Sequence, residues 1–224
     1  MRASTEQRLY ERLTSLPLFQ GMSRSDMEQV IDKTRFGFSK YAKNRILKRE
    51  GDPCDGMLFL LSGKMVAESV ADDHGYTVTE RLYAPCILQP ERIFGLTQRY
   101  TRTFTTVTAC DILKLEKDEV VKLSSEFLIF RLNLLNTIST LSQRLSRQLW
   151  HKADTTRGRI IRFFTDRCDR PAGEKVIRIK MVRLADELNV SRLDISNELN
   201  QMQEEGLLTF SRGIISIPMM ERLR

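Results

Sequence analysis

The 224-residue sequence contains only two histidines, His74 and His151, and neither lies near a nucleophile motif. Histidine-based triads and histidine metal sites therefore find no support. Neither a GxxxxGK[ST] loop nor a GxGxxG turn occurs, so the common phosphate-cradling signatures are missing too. Its four cysteines, Cys54, Cys86, Cys110 and Cys168, are scattered without ligand spacing, which points to buried thiols in a reducing compartment and to no metal. No apolar run approaches the roughly 18 residues that a membrane helix requires. The N-terminal stretch MRASTEQRLYERLTSLPLF is polar and has no signal-peptide core. Acidic pairs exist at Asp72-Asp73 and Glu204-Glu205, but adjacent surface carboxylates are ordinarily just solvated. These absences predict a cytoplasmic protein without a membrane partner that is not an enzyme.

The sequence carries a modest basic excess, net +7 with 36 Lys+Arg against 29 Asp+Glu. A polyanionic partner is favoured only weakly, because the excess is spread: residues 151–224 hold 14 basic against 11 acidic side chains, and residues 1–150 hold 22 against 18. A nucleic-acid reading must come from pattern.

Residues 5–19 pattern as an amphipathic helix with Leu9, Leu13, Leu16 and Leu18 near one side. A second helix follows, with Ser23 and Ser25 as candidate N-caps. From about 36 to 115 the pattern changes to short β-branched and aromatic runs divided by turns such as Gly51-Asp52-Pro53, Ser62-Gly63 and Asp72-Asp73-His74-Gly75. Many short strands predict a small barrel or roll. A helix without Gly or Pro is expected over 126–150, and the last 75 residues read as helix, strand, two helices and a hairpin. The fold class is α+β, with boundaries at 1–125, 126–150 and 151–224.

The last segment holds the most specific signal. Val182–Leu188 and Arg192–Glu205 read as two helices separated by Asn189-Val190-Ser191. Asn tolerates the left-handed backbone of a tight helix stop, and Ser191 followed by Asp194 is a capping-box-like start. Ile195, Leu199 and Met202 form the second helix's buried stripe. This specifies a helix-turn-helix, and LLTFSRGIISI after it reads as a wing hairpin, with KVIRIK at 175–180 as a third strand. Steps of 100° put Leu193, Asn197 and Asn200 on the far side with Ser196 flanking, and Arg192 at the N-terminal edge. The expected DNA contacts are Arg183, Ser191, Arg192, Leu193, Ser196, Asn197, Asn200 and Arg212. Arg192 would bond a guanine edge, Leu193 would pack on a thymine methyl, Asn197 would read a base or phosphate, and the Ser191 helix start would offer N–H groups to a phosphate.

In the 126–150 helix, Phe127, Phe130, Leu134, Ile138, Leu141 and Leu145 approximate an a/d seam and are the expected dimer interface. A parallel two-fold dimer would set two recognition helices about one DNA turn apart, ~34 Å.

The order of roll, long helix and winged helix-turn-helix resembles the Crp–Fnr family of regulators over nearly the whole chain. The resemblance is carried by ILKREGDPCDGMLFLLSGKM, with Gly51 and Gly63 at turn positions, and by RLADELNVSRLDISNELNQMQEEGLL. It implies a cyclic-nucleotide-binding-like β-roll, a dimerisation helix and a homodimer on a two-fold operator of double-stranded DNA that contacts RNA polymerase. Asn189 stands where relatives often carry Gly, and Leu193 where several carry a cytosine-reading Glu, so a different operator is expected. The family's phosphate cradle maps onto QPERIFGLTQRYTRTF. Glu91 is kept there, but Pro90 removes an N–H donor, and the expected Arg falls near Tyr100. Cyclic AMP is therefore not expected, and no cofactor is certain. Glu91, Arg99, Tyr100, Thr101 and Arg102 either line a pocket for another anion or form structural contacts. An iron–sulfur cluster has no N-terminal cysteine group to hold it, and His74 reads as a turn residue rather than a haem ligand. The competing function is a cyclic-nucleotide-binding signalling module that does not act on DNA.

Overall fold

The computed structural model describes the backbone of residues 2–150 and 153–223, and side chains other than those of residues 2–6, 8 and 147–150. His151 lies outside the described residues. The chain separates into two compact units, Met1–Met65 with Leu82–Gln143, and Val66–Arg81 with Arg144–Arg224. This partition differs from the linear one expected at 125 and 150, because a hairpin from the strand-rich region is counted with the C-terminal residues.

The first unit opens with helix α1 (Arg2–Thr14), a 3-10 turn over Pro17–Phe19, and α2 (Arg24–Lys33). The Ser23 hydroxyl caps α2 by accepting the Asp26 N–H, as its position before the apolar pattern predicts. Leu13, Leu16, Leu18 and Met27 are buried. Strands β1 (Phe36–Tyr41), β2 (Ile46–Lys48), β3 (Gly56–Ser62), β4 (Lys64–Val70), β5 (Tyr76–Tyr83), β6 (Cys86–Leu88), β7 (Thr103–Thr106) and β8 (Cys110–Glu116) follow. In this unit β1, β8, β3 and β6 lie side by side in that order, all antiparallel, and β2 pairs with β7. β3 is buried on both faces through Leu60, which explains its unbroken apolar run. Gly63 has φ +94°, and a Cβ there would come within 2.4 Å of the Ala109 carbonyl oxygen, so this turn requires glycine.

Helix α3 (Lys117–Glu126) was not foreseen. It ends where Phe127 turns extended, and α4 (Leu128–Trp150) then begins. Phe130 of α4 packs on Phe19 with ring centroids 5.2 Å apart, and the Asn133 amide donates to the carbonyls of Leu18 and Gln20.

The second unit holds the tip-side part of the β4–β5 hairpin, α5 (Thr156–Asp166), β9 (Lys175–Ile179), α6 (Met181–Leu188), α7 (Arg192–Glu204), β10 (Thr209–Ser211) and β11 (Ile214–Ile217). Thr155 caps α5 by accepting the Gly158 N–H. β10, β11 and β9 form the expected small sheet, and β5 extends it, pairing antiparallel with β9 from Tyr76↔Ile179 to Glu80↔Lys175. Val78 of β5 enters the same core as Ile160, Phe164, Ile177, Leu184, Ile195 and Leu199. Beside it, Lys175 and Glu80 form an ion pair at 3.2 Å with both side chains 0% exposed. Glu80 also accepts the Asp169 and Arg170 N–H groups, and the Lys175 Nζ donates to the Ala172 carbonyl.

Candidate nucleic-acid interface

α6 stops because Asn189 adopts the left-handed conformation, φ 50° and ψ 53°, with its N–H returned to the carbonyls of Ala185 and Asp186. Arg159 of α5 donates to the freed carbonyls of Leu188 and Asn189. Two residues later α7 starts. The Ser191 hydroxyl accepts the Asp194 N–H at 3.1 Å and lies 2.7 Å from the Asp194 carboxylate, closing a reciprocal cap with the shorter acid. Ile195, Leu199 and Met202 are buried, and Leu184 and Ala185 face them from α6.

The opposite face of α7 is open to solvent. Leu193 is 69% exposed, a large apolar side chain held in water on a helix otherwise outwardly polar. Ser191, Arg192, Asn197 and Asn200 are exposed and Ser196 is half-buried, so six of the eight expected DNA contacts share this helix and its cap. Arg192 makes no ion pair among the described residues, and Glu198, the carboxylate beside this face, is drawn off by Arg157 at 2.9 Å. Asp194 is also exposed but accepts the Ser191 hydroxyl, and Glu204 is exposed at the far C-terminal end of the helix, away from Arg192 and Leu193.

The wing is a tight two-residue turn. Arg212 (φ 49°) and Gly213 (φ 81°) connect β10 to β11, and both positive φ values match a hairpin turn of the primed type. Arg212 is exposed at the tip. Arg183, expected as a DNA contact, is ion-paired within the chain. Its Nη2 lies 2.6 Å from Asp73 at the β4–β5 tip and 2.7 Å from Glu187 one turn along α6.

The expected effector residues of the roll are mostly committed to the protein itself. The Arg99 guanidinium donates to the Gly51 carbonyl at 2.7 Å, and Thr101 exchanges two hydrogen bonds with the Gln89 amide. Of the two readings, Tyr100 takes the structural one: it is 1% exposed, its ring meets Phe104 edge-on at 5.9 Å, and its backbone pairs with Gly51 and Asp52. Burial pushes the Tyr100 hydroxyl well above the usual phenol range, with the adjacent Cys54 adding to the effect, and burial likewise raises the Cys54 thiol. Glu91 lies 3.5 Å from Arg92, and Arg102 is buried. Pro90 opens a 3-10 turn after Gln89, itself left-handed at φ 40°, and brings no N–H to it. Among the described residues no cluster of three metal-ligating side chains occurs, and no helix is long and apolar enough to cross a membrane.

The six residues expected at a dimer interface differ in burial. Phe127, Phe130 and Leu134 are buried within their own chain, Phe130 against Phe19. Of the expected set Ile138 and Leu141 are half-buried and Leu145 is exposed, while Leu128, Leu132 and Leu135, outside that set, are exposed apolar positions.

Comparison with known proteins agrees with this architecture. Residues 38–127 match the cyclic nucleotide-binding domain and residues 158–224 match the Crp-like helix-turn-helix domain, together more than half of the chain. Among solved structures, the catabolite activator protein of Thermus thermophilus is 16% identical over 92% of this chain and 95% of its own, with a TM-score of 0.53. The sensor domain of the transcriptional regulator DNR from Pseudomonas aeruginosa is 16% identical over 68% of this chain and 99% of its own, with a TM-score of 0.55. A search of curated proteins gave no match. With a nucleotide-binding-type roll followed by a capped helix-turn-helix and wing, each matched independently, the chain belongs to the Crp–Fnr family of DNA-binding transcriptional regulators.

Proposed function

We propose that this regulator acts in the cytoplasm as a homodimer on a two-fold operator, with α7 in the major groove and the wing tip on the flanking backbone. The observation that carries this reading is the solvent face of α7: Arg192, Leu193, Asn197 and Asn200 exposed on a helix whose opposite stripe is sealed. An exposed leucine beside amides and an arginine with no ion pair among the described residues fits base edges with a thymine methyl among them. The wing arginine and the N–H groups at the Ser191 cap supply phosphate contacts. Contact with RNA polymerase would follow from promoter placement.

Selection of duplexes from a random pool, followed by gel shift, tests the reading. Recovery of palindromic half-sites about one turn apart, ~34 Å, is expected. Arg192→Ala should cost ~1–3 kcal/mol and relax preference at one base pair. Failure to enrich any sequence would refute specific binding.

The dimer contact is proposed along α4 through Leu128, Leu135, Ile138 and Leu145, which recur at 7, 3 and 7. For the roll, we propose an effector other than cyclic AMP, or none. With Arg99 spent on the Gly51 carbonyl and Tyr100 in the core, the cyclic phosphate lacks its cationic partner. Calorimetric titration with cyclic AMP should show no saturable heat; a micromolar isotherm would reverse this.

A further inference from the structure

The β4–β5 hairpin tip places a carboxylate against the helix-turn-helix, and neither the sequence pattern nor the family match accounts for it. We propose that Asp73 sets the DNA affinity of this regulator by holding Arg183 of α6 away from the phosphate backbone. The proposal rests on the DNA-binding reading above and adds a determinant of its strength.

The hairpin is not resting there by chance contact. Five register pairs join β5 to β9, Val78 is part of the core, and Glu80 is locked to Lys175 out of water. These fix the base of the hairpin and bring its turn to the first turns of α6. At the turn, the Gly75 N–H donates to the Asp73 Oδ1 at 2.9 Å, which orients the carboxylate. Gly75 also leaves room for the guanidinium: a Cβ there would stand 3.2 Å from the Arg183 Nε and 2.9 Å from the Asp73 Oδ1. A side chain at this position would have to displace the Asp73 carboxylate or the guanidinium.

Charge decides what the seat does. One guanidinium faces two carboxylates, Asp73 at 2.6 Å and Glu187 at 2.7 Å, and Glu187 also takes Arg167 at 2.8 Å. Two arginines and two acids sum to zero, so the cluster adds no net attraction for DNA while the tip stays in place. The contact can nevertheless be exchanged. The Asp73 and Arg183 side chains are 51% and 37% exposed, so water and salt screen the pair, and a phosphate oxygen can take the place of the Asp73 oxygen. Loss of the Asp73 charge would leave a +1 cluster on α6, because the ladder and the buried pair keep the hairpin where it is.

The test measures fluorescence anisotropy of the full chain on a 30-base-pair duplex selected from a random pool by the wild type, over a series of salt concentrations. Asp73→Asn keeps an oxygen acceptor for the Gly75 N–H and removes only the charge. It should tighten binding about two- to fivefold, the range set by a part-exposed ion pair. It should also steepen the dependence of log K on log salt by ~0.9, one extra neutralised phosphate. Asp73→Glu should return affinity and slope toward the wild type. The gain should vanish in the Asp73→Asn/Arg183→Gln double variant, which restores a neutral cluster, and Arg183→Gln alone should weaken wild-type binding about two- to fivefold, because it leaves Asp73 and Glu187 facing a single arginine.

A wild type that binds no duplex would sink the DNA-binding reading itself, before Asp73 is considered. With the wild type bound, three results overturn the Asp73 assignment: unchanged or weaker binding of Asp73→Asn, a gain that survives Arg183→Gln, or a loss of more than about tenfold from Arg183→Gln alone, beyond what a part-exposed pair can supply. The last comparison also decides the matter should Asp73→Asn melt prematurely.

Discussion

Lys175 and Glu80 are the two side chains on which a single substitution should cost most. Each is fully out of water, and each is held by the other together with backbone groups, among them the Asp169 and Arg170 N–H groups for the carboxylate and the Ala172 carbonyl for the ammonium. Breaking such a pair leaves an uncompensated buried charge, a penalty of ~3–5 kcal/mol, whereas replacing both partners with apolar groups of similar volume is often neutral. Lys175→Met and Glu80→Leu should therefore each lower the urea midpoint sharply, and the double variant should recover most of the loss. Additive losses in the double variant would mean that the pair is not energetically coupled.

At the scale of elements, α4 separates two kinds of apolar position that look alike in sequence. Phe130 is clamped by Phe19 inside its own chain, while Leu135 is exposed five residues on. Phe130→Ala should destabilise the protein by ~3–5 kcal/mol. Leu135→Glu should leave helicity and melting nearly intact and convert the sedimenting species to monomer at micromolar concentration. A Leu135→Glu protein that remains dimeric would remove α4 as the contact. The same helix shows where a sequence reading stops. Heptad spacing tells which residues could form a seam, but it does not tell that Phe127 turns out of the helix or that Phe19, more than a hundred residues earlier, covers Phe130. α7 was legible almost residue by residue, because its cap, its stop at Asn189 and its stripe are all local. The β5–β9 pairing was not, since no local pattern names a strand's distant neighbour. A trace of it was present: alternation puts Glu80 on the same side as Val78 and Leu82, and Lys175 on the same side as Ile177 and Ile179. Opposite charges on two inward faces are a sign that the strands meet.

The whole chain is partitioned against its linear order, and that has a consequence for the C-terminal unit taken alone. Residues Val66–Arg81 lie in sequence between two stretches of the first unit yet pack with the second. A piece comprising residues 144–224 would lose Val78 from its core, the β5 partner of β9, and the carboxylate that neutralises Lys175. The unpaired lysine alone would cost ~3–5 kcal/mol, against a total of about 5–15 kcal/mol for a whole domain, and the missing Val78 adds a cavity term to that. The piece should therefore melt broadly and exchange its amide hydrogens fast at room temperature. The same piece carrying Val66–Arg81 on a flexible Gly/Ser tether should fold cooperatively, because the tether restores both the strand and the counter-charge. A cooperative transition of equal midpoint with and without the hairpin would show that β5 decorates the helix-turn-helix fold without completing it.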